Sequence, residues 1–130
     1  MTMVGWEICM RHALLSGAEL DKIALMKTKE AKFFTAVNRQ VRKFMKEVHG
    51  ADMVTCPDSI TMALVLNHRV ATDTRTKFVE VDNESELSRG ATYVDDLGVT
   101  GMKPNVNVIY GASDRIFKDM LLRMLGGRPI

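Results

Sequence analysis

An apolar segment, Met3-Val4-Gly5-Trp6-Glu7-Ile8-Cys9-Met10, stands directly behind Met1. Its β-branched and aromatic content predicts a buried strand over residues 3–10. A chain that opens on a buried strand needs other strands on either side of it. No cap, linker or targeting segment comes before it, so the chain reads as the closing half of a larger α/β fold. Glu7, Arg11 and His12 interrupt the apolar stretch and rule out a signal peptide.

Helix signals dominate the next third. Ser16-Gly17-Ala18-Glu19 has the capping-box pattern, in which the serine side chain accepts from the Glu19 amide and the glutamate reaches back. A short helix over about 17–25 follows from it. Thr28 caps a second helix that runs to Gly50. Its Phe33, Phe34, Val37, Val41, Phe44, Met45 and Val48 recur at spacings of three and four and predict one buried stripe. Lys29, Lys32, Arg39, Lys43 and Lys46 fall mostly elsewhere on the wheel and read as a solvated face. Pro57 suits the first turn of a third helix, about 57–67, which Asn67 ends.

Strands return in the second half, over Thr76–Val81, Thr92–Asp95 and 105–110. In the last of these Val106, Val108 and Tyr110 share one face. Ser113 caps a final helix with Asp114 in its first turn. Ile116, Phe117, Met120, Leu121, Met124 and Leu125 make its apolar face, and Gly126-Gly127 closes it. The order β-α-α-α-β-β-β-α fits the edge of a mixed α/β sheet better than a closed domain.

Bulk properties narrow the classes. A chain of 130 residues has room for one ordinary domain. With 46% apolar and 26% charged residues it has a globular composition, and its net charge of +2 makes no case for nucleic acid or an acidic membrane. The apolar runs fall far short of the roughly 20 residues of a bilayer span. Cys9 and Cys56 lie far apart and fit a reducing, intracellular setting. His12, His49 and His68 stand apart, with no ligand or catalytic spacing. His49, near a helix C-terminus, meets the helix dipole favourably. Trp6 reads as core or as an interface anchor, and Arg89-Gly90 as a tight turn between strands.

Thr55-Cys56-Pro57-Asp58-Ser59-Ile60-Thr61-Met62-Ala63 is followed by Phe78-Val79-Glu80-Val81-Asp82. Then come Glu86-Leu87-Ser88-Arg89-Gly90-Ala91-Thr92-Tyr93-Val94-Asp95 and Lys103-Pro104-Asn105-Val106-Asn107-Val108. This succession resembles the C-terminal part of the inosine–uridine-preferring nucleoside hydrolases, and the similarity spans nearly the whole chain. It implies an α/β fold, the C-terminal portion of a mostly parallel sheet flanked by helices. It also implies a cytoplasmic enzyme of nucleoside catabolism that cleaves the N-glycosidic bond of ribonucleosides to ribose and base. Such an enzyme takes a ribonucleoside substrate and no nucleic acid or membrane, and is compatible with a homo-oligomer.

The resemblance further implies one Ca²⁺, held mostly by an aspartate-rich motif near the family's N terminus and by one late aspartate. By position in the motif that aspartate is Asp58. Several converging carboxylates suit a cation that takes six to eight oxygens, and nearby acidic groups suit an oxocarbenium-like transition state. Two departures stand out. The aspartate-rich motif is absent, and Asp95-Asp96 reads only as a strand-end turn. Pro57 occupies the place where many members carry a histidine that protonates the leaving base. Cys56, one residue earlier, is the candidate replacement.

Each assignment has a plain alternative. Asp58 also serves a helix N-terminus by charge, and Cys56 also serves as a small buried side chain. For the whole chain the first reading is the C-terminal fragment of a nucleoside hydrolase, inactive alone and not binding Ca²⁺ by itself. The alternatives are a non-catalytic half-fold that pairs with a full-length relative, or an independent small α/β binding domain.

Overall fold

Residues 1–130 are all described by a computed structural model. Strand β1 (Thr2–Val4) leads through Gly5 into helix α1 (Trp6–His12), then β2 (Leu14–Ser16), α2 (Gly17–Ala24), α3 (Lys29–His49) and β3 (Met53–Thr55). Helix α4 (Pro57–Leu66) and a 3₁₀ turn (His68–Val70) precede β4 (Ala71–Val81), β5 (Thr92–Asp95), β6 (Val106–Ala112) and α5 (Asp114–Leu125). The main sheet has the order β1-β6-β4-β5. Strand β1 runs parallel to β6, from Thr2 opposite Asn107 to Val4 opposite Ile109, and β4 runs antiparallel to both β6 and β5. A separate antiparallel pair joins β2 to β3, with Leu15 opposite Val54.

The opening strand is shorter than its composition predicts. It ends at Val4, and residues 6–12 are helical. A strand would send Ile8 and Cys9 to opposite faces, whereas the fold buries both against one core, at 1% and 3% exposure. A helix, at about 3.6 residues per turn, can put neighbours on one side. Its ends suit the helix dipole, with Glu7 in the first turn and Arg11 and His12 in the last. Trp6 faces out at 62% exposure, so it is not a core residue.

The capping signals act as the sequence predicts. The Ser16 hydroxyl accepts from the Glu19 amide, and the Glu19 carboxylate accepts from the Ser16 amide at 2.8 Å. Thr28 accepts from the Ala31 amide and donates to the Leu125 carbonyl, which ties the start of α3 to the end of α5. Ser113 accepts from the Ile116 amide. Gly50 ends α3 at φ 64°, a left-handed conformation that favours glycine.

The long helix does not bury the stripe that its periodicity predicts. Ala31 is its one buried residue, and Phe33, Val37, Val41, Phe44 and Val48 are exposed. Only the Phe34 flank packs on the core. The helix is held instead by a polar clamp. Arg42 donates to both carboxylate oxygens of Asp52, at 2.6 and 3.0 Å, to Asp21 at 2.7 Å and to the Gly17 carbonyl at 3.3 Å. The guanidinium holds the Asp52 carboxyl below its ordinary range. A Cβ at Gly17 would lie 2.4 Å from Asp52 Oδ2, so the Asp52 carboxylate would have to shift from its place on Arg42.

The principal core lies between one face of the sheet and helices α1, α4 and α5. It holds Ile8, Ile60, Ile109, Phe117 and Leu125. The other face of the sheet carries Val79, Val106 and Val108, with Met3, Val94 and Tyr110 against them. The alternation in β6 therefore separates two layers, as the sequence predicts. The connection into β5 turns at Gly90, whose φ of 88° matches the tight turn expected there.

Candidate functional site

The segment 55–58 is built where two helices meet. A residue before proline is pushed out of the helical region, and Cys56 has φ −122° and ψ 68° as the N-cap of α4. Its amide donates to the Ala13 carbonyl at 2.9 Å, and Thr55 Oγ1 donates to the Cys9 carbonyl at 3.2 Å. These two bonds stitch the start of α4 to the end of α1.

Asp58 sits in the first turn of α4, exposed, at the rim of a cleft between α4 and α5. The cleft is about 310 Å³, and its walls are apolar, with Met62, Leu66, Phe117, Met120 and Met124. The carboxylates of Glu7 and Asp58 lie close enough to Cys9 to add to the effect of burial, which pushes that thiol up.

Cys56 is 6% exposed and belongs to the core that contains Val54 and Ile60. Burial pushes its thiol up to about 11, so it is a neutral S–H at physiological pH. Cys9 and Cys56 are both free.

The chain gathers no three His, Cys, Asp or Glu side chains in a place to hold a metal ion. One exposed carboxylate is far from the six to eight oxygens of a calcium site, so the residues of this chain alone do not fit the ion. The other aspartates named by the sequence serve loops. Asp95 accepts from the Val99 and Thr100 amides and the Thr100 hydroxyl, and so folds the strand-end turn. Asp96 accepts from Tyr110 Oη at 2.6 Å and pairs with Lys77, and it pushes the Tyr110 hydroxyl up to about 12. Asp82 accepts from the Ser88 hydroxyl and the Glu84 and Ser85 amides.

One pairing was not legible in the sequence. His12 Nδ1 lies 2.5 Å from Asp114 Oδ1, joining the end of α1 to the start of α5. The two residues are 102 apart in sequence, and no local pattern links them. His12 is thus not isolated. His49 closes α3 as expected, with its ring edge-on to Phe44. Helix α4 is apolar but only ten residues long, and no helix is long and apolar enough to cross a membrane.

Among solved structures the fold matches a plant nucleoside hydrolase, PpNRh1, with a TM-score of 0.81 and 17% identity over 96% of this chain and 41% of that one. An inosine-guanosine nucleoside hydrolase matches with a TM-score of 0.78 and 19% identity, over 96% of this chain and 38% of that one. A purine-preferring ribonucleoside hydrolase from Gardnerella vaginalis matches with a TM-score of 0.77 and 20% identity, over 97% and 39%. The chain thus spans about two fifths of the length of these structures. No curated protein matches it. The sequence model of the inosine-uridine preferring nucleoside hydrolases covers residues 1–119. The chain belongs to the inosine-uridine preferring nucleoside hydrolase family.

Proposed function

We propose that this chain supplies the C-terminal part of a ribonucleoside hydrolase, an enzyme that splits the N-glycosidic bond with water to give ribose and a free base. The observation that carries this reading is the family match over residues 1–119 together with a shared fold across 96–97% of the chain. Asp58 is the carboxylate we assign to the metal site of the complete fold, where Ca²⁺ would supply positive charge to a water and to the ribose hydroxyls. The remaining carboxylates would come from an N-terminal part carrying the aspartate-rich motif. Two free thiols suit a cytoplasmic setting for such a protein.

The 130 residues alone should therefore release no measurable reducing sugar from inosine or uridine, with or without added Ca²⁺. Turnover by the pure chain would overturn this reading and require a site built from these residues only. A non-catalytic partner of a full-length relative remains the second reading, favoured by the lone carboxylate. Copurification with such a relative would distinguish it.

Cys56, in the place next to Pro57, is the candidate proton donor to the departing base, with a packed thiol as its plain alternative. In the completed protein Cys56→Ser should lower kcat and kcat/KM together, the signature of an interaction made only in the transition state. Unchanged constants would return the thiol to packing alone, the role that its burial in this chain supports.

A further inference from the structure

We draw no further inference here: the strongest candidate, the basic groove between α2 and α3 where the buried Thr35 hydroxyl has no hydrogen-bond partner beside Arg39, Lys43 and Lys46, carries nothing, because Lys43 and Lys46 are paired with Glu47 and Asp52 and nothing in the structure shows what covers this face in a chain that spans about two fifths of its matched structures.

Discussion

Phe117→Ala should lower the stability of the chain by about 3–5 kcal/mol, the range for truncating a buried aromatic side chain. Phe117 is 1% exposed and heads the group of large, fully buried side chains. It lies on the first turn of α5, where its amide donates to the Ser113 carbonyl at 3.0 Å, so the backbone is fixed from one side by the cap. The ring also forms part of the wall of the α4–α5 cleft. Removing it takes contacts from two helices at once and leaves a cavity that a capped helix can collapse into only in part. Domains as a class have only about 5–15 kcal/mol to lose, so the variant should unfold at a much lower denaturant concentration with the same slope. Phe33→Ala is the control. The same residue type at 69% exposure should cost within about 0.5 kcal/mol at a concentration where the chain is monomeric. Equal costs for the two substitutions would mean that the core is not organised around α5.

The contrast between these two phenylalanines also explains how much could be read from the sequence. Features fixed within a few residues were legible. Ser16, Thr28, Ser113, Pro57 and Gly50 placed the ends of α2, α3, α5 and α4 to within a residue or two, because a cap is a local hydrogen bond or a local backbone angle. The period of α3 was legible as well, but a period says only that a face is apolar, not that this chain covers it. What holds α3 is polar, the Arg42 clamp to Asp21 and Asp52, and it leaves the apolar face exposed. Strands β2 and β3 have three residues each, too few for alternation to show. The opening segment has the composition of a strand, and composition alone does not register that Ile8 and Cys9 are buried on one side of helix α1. Of the candidate site, the motif around Asp58 was legible through resemblance. The stitching of Cys56 to Ala13 and the pairing of His12 with Asp114 were not, since both depend on the packing of α1.

Asp58→Ala should weaken calcium binding at least tenfold in a completed protein, made by joining this chain to an N-terminal part of the family that carries the aspartate-rich motif. Even outer-shell partners of a metal typically contribute about 10–100-fold to affinity, and a charged oxygen ligand to a hard cation should contribute no less. Activity should fall with affinity. The fold should hardly respond, because Asp58 is exposed and its local service to α4 is that of a charge in the first turn, about 0.3–1 kcal/mol. Asp58→Asn refines the test. It keeps one oxygen and removes the charge, so it should fall between wild type and Asp58→Ala in calcium titration, whereas for a purely dipolar role the two variants should differ only in melting temperature. Calcium affinity unchanged in both variants would return Asp58 to the start of α4 and detach it from the site.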